Sequence, residues 1–220
     1  NQSPRSLDER VQMNDVPYAS AVGSIMYAML CTRPDVSYAL SVSRRYQSDP
    51  GLEHWAAVKG ILKYLRRTND LLLVYGGDEE LIVSGYTDAG FMTDPDDFKS
   101  QSGYVFILNG GAVDWKSSKQ KTVADSTTEA EYVAASEASK EAVWITQFLE
   151  DLGVVPSAQD PVEIYCDNSG AVAQAREPSS HHKTRHIQRK YKLIRHHVEE
   201  GLVKVRKVHT DLNVSDPMTK

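Results

Sequence analysis

At Gly76-Gly77 the spacing of apolar residues changes from a helical repeat to strand-like runs, which splits the chain into two differently built parts. Upstream, Ala21, Ile25 and Met29 recur at helical spacing. Arg33-Pro34-Asp35 restarts the chain, with Pro34 suited to a first helical turn and Val36, Leu40 and Ser43 marking an inner side. After Asp49-Pro50-Gly51 comes a third stripe of Trp55, Val58, Ile61 or Leu62, and Leu65. Arg66, Arg67 and the Asn69-Asp70 turn close it. Residues 1–16 read as an extended or disordered arm, and 17–75 as a small helical region with no catalytic constellation.

Downstream, LIVSGYTDAGF (81–91), SGYVFILNG (102–110) and AVDWKSSKQ (112–120) read as three strands joined by short turns. A long helix spans about 126–152 and stops at Gly153. VEIYCD (162–167) is a fourth strand, NSGAVAQAR a short helix, 182–200 a basic helix, and LVKVRKVHT (202–210) a last strand. Three strands, helix, strand, helices, strand describes an α/β sandwich with a mixed sheet over 76–220.

No apolar run approaches the ~20 residues of a membrane-spanning helix, so no membrane partner is expected. Cys31 and Cys166 are isolated, which suggests neither a disulfide framework nor a cysteine zinc site, and favours an intracellular compartment. Charge is uneven. Between Arg176 and Lys207 ten Lys/Arg face three Glu, a local surplus of +7 in a chain of net charge −5. Such a segment is either a phosphate-backbone contact or a solvated helix face.

Four acidic residues stand where strands end or helices begin: Asp88, Glu131, Asp167 and Asp216. At ~100° per residue, Ala134, Ala138, Ala142, Ile145, Leu149 and Leu152 share the face of Glu131, so Glu131 must pack toward the sheet. Glu129 falls toward solvent, and completes S-T-T-E as a capping box with Ser126 as N-cap. A glutamate on a buried face needs a partner, either a structural ion pair or a cation. Asp88 and Asp167 end their strands; if those strands are adjacent and parallel, both reach the carboxyl edge of the sheet. Each alone is also explained as a turn or N-cap aspartate. Carboxylates gathered at one edge call for a divalent cation, and hard oxygen ligands favour Mg²⁺ or Mn²⁺.

Asp216-Pro217 reads as an N-cap followed by proline, which capping alone explains, and Asp211 is a rival. His209, at the end of the last strand, is either a proton-transfer group or an exposed loop histidine. His182 and His186 have the i,i+4 spacing of zinc ligands but no third ligand beside them.

Several ordered stretches resemble the C-terminal part of Ty1/copia-type retrotransposon polyproteins, the end of the reverse transcriptase and its ribonuclease H. They are AVGSIMYAMLCTRPDVSYALS, AAVKGILKYLRRT, GYTDAGF, STTEAEY, YCDNSGAV, RHIQRKYKLIRHHVEEGLVKVRKVHT and the closing N-V-S-D-P-M-T-K. The resemblance implies a ribonuclease H-like fold with sheet order 3-2-1-4-5, preceded by a helical region like the reverse-transcriptase thumb and connection. It places the family's active-site carboxylates on Asp88, Glu131, Asp167 and Asp216, and carries most of the case for Asp216.

With that resemblance, the expected activity is metal-dependent cleavage of the RNA strand of RNA/DNA hybrids, with two Mg²⁺ ions (Mn²⁺ substituting) held by the four carboxylates. Asn168 and Ser169 are candidates for 2′-hydroxyl contacts. Lys183, Arg185, Arg189, Lys190 and Arg195 are candidates for the DNA strand's phosphates. The expected partners are the hybrid and the polymerase domain of the same polyprotein, in a cytoplasmic virus-like particle or the nucleus. Two other readings are a non-catalytic connection or hybrid-binding module, and an integrase-like transferase acting on duplex DNA.

Overall fold

The computed structural model describes residues 3–77, 81–153, 155, 160–176 and 188–220, with side chains from 193 in the last stretch. It forms two compact units, 1–73 and 74–220. In the first, α1 (Leu7–Asn14) corrects the expectation of an extended arm. Ser6 Oγ accepts from the Glu9 N–H while Glu9 Oε2 accepts from the Ser6 N–H, so a capping box starts a helix whose apolar spacing is poor. Helices α2 (Tyr18–Cys31), α3 (Ser37–Ser43) and α4 (Leu52–Arg67) bury Val22, Ile25, Val36, Leu40, Val58 and Ile61 together. Ile61 faces inward and Leu62 is exposed. Arg33 grips Asp35 and donates to the Thr68 carbonyl and hydroxyl at the end of α4.

The second unit is built on a five-stranded sheet of order β3-β2-β1-β4-β5. The strands are β1 (Ser84–Gly90), β2 (Gln101–Leu108), β3 (Gly111–Lys119), β4 (Val162–Cys166) and β5 (Val203–Lys207). The first three pair antiparallel, whereas β1–β4 and β4–β5 are parallel. Asn109 and Gly110 both take positive φ between β2 and β3, the backbone that a two-residue hairpin turn requires. The parallel pairings need crossovers, supplied by α5 (Thr127–Leu152) and then α6 (Ser169–Arg176) and α7 (Gln188–Glu199).

The helices share one face of the sheet. Ala138, Ala142, Ile145 and Leu149 of α5 pack on Phe106, Ile164 and Val203, each large side chain contributing about 1.5–3 kcal/mol. Nearer the carboxyl edge, Tyr132 and Ala135 meet Cys166, Ala171, Val172, Ile194 and Val205. Leu152, expected on this face, is 51% exposed, because it lies in the last turn of α5. Side chains alternate across a strand, so Tyr165 points to the opposite face, where it stacks on Tyr86 at 5.0 Å.

Candidate metal centre

Parallel pairing of β1 with β4 sets Thr87 beside Cys166, so the residues that follow, Asp88 and Asp167, come level at the carboxyl edge. Asp88 is 3% exposed, and Asp167 is half-buried. Glu131 arrives from the helical face. Ser126 Oγ accepts from the Glu129 N–H and fixes the start of α5. The Glu129 carboxylate folds back to accept from the Asp125 N–H at 2.8 Å. Glu129 is therefore buried, a correction to its expected solvent position, and the N-cap rather than a reciprocal box holds this helix. Two residues on, Glu131 is 7% exposed, accepts from the Ala89 N–H, and lies 3.8 Å from the Cys166 thiol.

Asp216 opens a 3₁₀ turn (Asp216–Met218) whose N-cap is Ser215, so Asp216 stands one position further in than an N-cap. Asn213 Nδ2 donates to the Thr87 carbonyl at 3.0 Å, and its Oδ1 accepts from the Ser215 hydroxyl at 2.7 Å. Ser117 Oγ donates to the Met218 carbonyl. Gly103, opposite Asp88 on β2, leaves room for this turn: a Cβ there would meet Met218 Cβ at 2.5 Å. Thr219 then donates its hydroxyl to Asp88, and the Lys220 ammonium pairs with Asp216.

The electrostatics register this convergence. Burial, then the charges of Asp88 and Asp167, pushes the Glu131 carboxyl up to about 8. Burial also raises Asp88, against the Thr219 hydrogen bond and the Lys220 charge, while Asp167 and Asp216 raise it further. Lys220 is raised by its bond to Asp216, and feels Asp88 and Asp167 as well. Four carboxylates with one ammonium leave surplus negative charge in a partly dry setting, where like charges interact strongly.

The tightest trio of donor atoms is Glu131, Cys166 and Asp167, all within 4.8 Å of one another. Burial first, then Glu131, pushes the Cys166 thiol well up, so it stays protonated and the set that can ligate is all oxygen. Such a donor set fits a hard divalent cation such as Mg²⁺ or Mn²⁺.

The other sequence candidates are less gathered. His209 is exposed, beyond the end of β5; its Nδ1 accepts from the Asp211 N–H, and Asp211 is likewise in solvent. Asn168 Oδ1 caps α6 by accepting from the Ala171 N–H at 3.0 Å, and Ser169 is exposed at the first position of that helix. Arg195 Nε donates to the Gln174 carbonyl, tying α7 to α6. Arg189 and Lys190 lie on the backbone of α7. Lys183 and Arg185, like the His182 and His186 pair, fall outside the described residues. Sequence reasoning missed Cys166, Asn213, Thr219 and Lys220. The signal available was that all four lie inside the quoted motifs, Cys166 in YCDNSGAV and the others in N-V-S-D-P-M-T-K, but what each touches is set by tertiary contacts.

No protein-family model matches the chain. It is 46% identical over 99% of its length to the retrovirus-related Pol polyprotein from transposon TNT 1-94 of Nicotiana tabacum, and 37% identical over 99% to that of transposon RE1 of Arabidopsis thaliana. The chain spans 16% and 15% of those two polyproteins. It is also 50% identical, over 61% of its length and 94% of the relative's, to secreted RxLR effector protein 161 of Plasmopara viticola. Among solved structures, LC11-RNase H1 in complex with RNA/DNA hybrid is similar at TM-score 0.46 and 18% identity, over 62% of this chain and 93% of that one. Among the described residues, no helix is long and apolar enough to cross a membrane.

Proposed function

This chain belongs to the retrovirus-related Pol polyproteins of copia-type transposons, and from that premise we infer that residues 74–220 are their ribonuclease H, cleaving the RNA strand of RNA/DNA hybrids. The observation that carries the reading is the meeting of Asp88, Glu131, Asp167 and Asp216 at one sheet edge, each felt by its neighbours.

Each residue has a task in that reaction. Asp88, the most enclosed of the four aspartate and glutamate ligands, is held by Thr219 in one orientation. Glu131 and Asp167 would add carboxylate oxygens beside it, and Asp216 a further one from its 3₁₀ turn. Bound there, divalent Mg²⁺ or Mn²⁺ would neutralise the cluster, acidify an attacking water and offset charge on the departing 3′ oxygen. Burial raises the Glu131 carboxyl, so it would have to be deprotonated to serve as a ligand. Ser169 and the Asn168 amide, which follow Asp167, are the candidates for contacts to 2′-hydroxyls, which distinguish RNA from DNA. The basic residues of the α7 sequence, Arg189, Lys190 and Arg195, are the candidates for phosphate contacts that give affinity without sequence preference. His209 is assigned proton transfer or product release at the margin.

On this reading the helical unit is the thumb and connection of the reverse transcriptase, and the polymerase is the partner in cis. The working place is the cytoplasmic particle or the nucleus. The experiment is nicking of an end-labelled hybrid by the full chain with Mg²⁺ or Mn²⁺, with duplex DNA as control. Hybrid cleavage that disappears in Asp88→Asn supports the assignment. Cleavage of the duplex instead, or none with either ion, rejects it.

A further inference from the structure

Glu131 reaches the cluster from a helix, and one buried side chain outside the cluster ties that helix to the sheet. Gln120 follows the last residue of β3 and is 1% exposed. Its backbone N–H donates to the Ser100 carbonyl at 2.8 Å, which fixes the residue to the edge of the sheet. Its Nε2 donates twice, to Ser102 Oγ at 2.9 Å and to the Ala130 carbonyl at 2.9 Å. Ala130 directly precedes Glu131. A carbonyl only accepts, so the amide must present nitrogen to Ala130. That orientation leaves Gln120 Oε1 buried with no protein partner among the described residues.

We propose that Gln120 is a positioning residue: its amide locks the first turns of α5 against β2 and β3, so that the Glu131 carboxylate is held at the distance from Asp88 and Asp167 that a shared cation needs. The inference rests on reading the four carboxylates as cation ligands. Groups one step behind metal ligands set ligand orientation, and their loss typically weakens metal affinity or activity about 10–100-fold. The chemistry separates this role from a structural one. Leucine in place of Gln120 removes both hydrogen bonds, to α5 and to Ser102, and keeps an apolar side chain of similar size in the core, so a folded variant reads the loss of positioning.

The test is Gln120→Leu in the full chain, with calorimetric titration of Mn²⁺ into the metal-free protein, thermal unfolding in chelator, and hybrid cleavage. The expected result is cooperative unfolding of a native fold in chelator, Mn²⁺ affinity about tenfold lower, and kcat reduced with the KM for hybrid unchanged. Ser102→Ala, which frees one anchor of the amide, should show a smaller loss in the same direction. Combined with Glu131→Gln, Gln120→Leu should weaken affinity no further, since both act on one ligand. Unchanged Mn²⁺ affinity and kcat in a stably folded Gln120→Leu protein overturn the proposal. So does loss of the fold in both variants, which would make the role purely structural. A wild-type chain that takes up no Mn²⁺ overturns the carboxylate reading itself, whereas equal binding by wild type and variant sinks only the role of Gln120.

Discussion

Thr219 donates its hydroxyl to Oδ2 of Asp88, joining residues 131 positions apart in the sequence. Asp88 is buried, and this bond is among the influences that hold its carboxyl down. Thr219→Val keeps the shape and removes the donor. It should destabilise the metal-free protein by about 1–3 kcal/mol, because a buried carboxylate loses a partner it cannot replace with water. Thr219→Ser should recover most of that. Urea unfolding at neutral pH is the measurement, and equal stability of the valine variant and wild type would contradict the arrangement.

Asp167 is half-buried and sits just past β4, so its amide counterpart should fold normally. Asp167→Asn is expected to lose hybrid cleavage while binding hybrid with near wild-type affinity, because phosphate contacts come from elsewhere. Fluorescence anisotropy with labelled hybrid, alongside Mg²⁺-dependent cleavage, separates the two. Substantial turnover by this variant would reject the ligand assignment.

Glu131 titrates near 8 in the folded, metal-free chain against an ordinary 4.5. Between those values the native state holds a proton that the unfolded chain releases, so stability falls as pH rises from about 4.5 to about 8. Each unit of separation corresponds to about 1.4 kcal/mol. Glu131→Gln should therefore match wild type near pH 5 in chelator and exceed it at pH 8.5. Divalent cation binding at pH 6–7 should release about one proton, and almost none at pH 9. Calorimetry in two buffers of different ionisation enthalpy reads that number, and proton release independent of pH would count against a shifted Glu131.

Gly103 is where the sheet admits the C-terminal turn. An alanine Cβ would stand 2.5 Å from Met218 Cβ and 2.9 Å from Thr219 Cγ2, and one of those neighbours has to move. Gly103→Ala should cost about 1–3 kcal/mol as an overpacked site. It should also displace Asp216 and Thr219, so that Mn²⁺ affinity falls while far-ultraviolet circular dichroism stays native. A variant that binds Mn²⁺ as wild type does would show that the turn adapts without moving its carboxylate.

Asp88 and Asp167 were legible because strand ends are visible in the pattern and a parallel pair aligns whatever follows them. Glu131 was legible by rotation alone, since a charged residue on a stripe of alanines has no solvent to face. The same rotation misplaced Glu129, whose carboxylate bends back to a backbone N–H two residues before its helix; a local hydrogen bond overrode periodicity. Leu152 was misread because the apolar stripe of α5 runs on into a last turn that solvent reaches. Helix α1 was hidden by weak amphipathicity, although its S-L-D-E cap was in plain view. Asp216 could not be read from its surroundings, since Ser117 and Gly103, which hold and admit its turn, are about a hundred residues away, and Asn213 acts by reaching the Thr87 carbonyl on β1. Gln120 gave no sign at all, because a polar residue at a strand end reads as a turn.

The close approach of the C-terminal turn to β1 also has a consequence for biosynthesis. The sheet's antiparallel meander can form as soon as β3 has emerged, but the clustered carboxylates wait for β4 and then for the last few residues. Closing loops of that span is entropically slow and comes late in folding. A chain interrupted between the end of β5 and Asp216 would own the whole sheet and lack one of the four clustered carboxylates. The carboxylate cluster is therefore the last part of this unit to be completed, because the turn at Asp216–Met218 is made after every strand and helix it packs against.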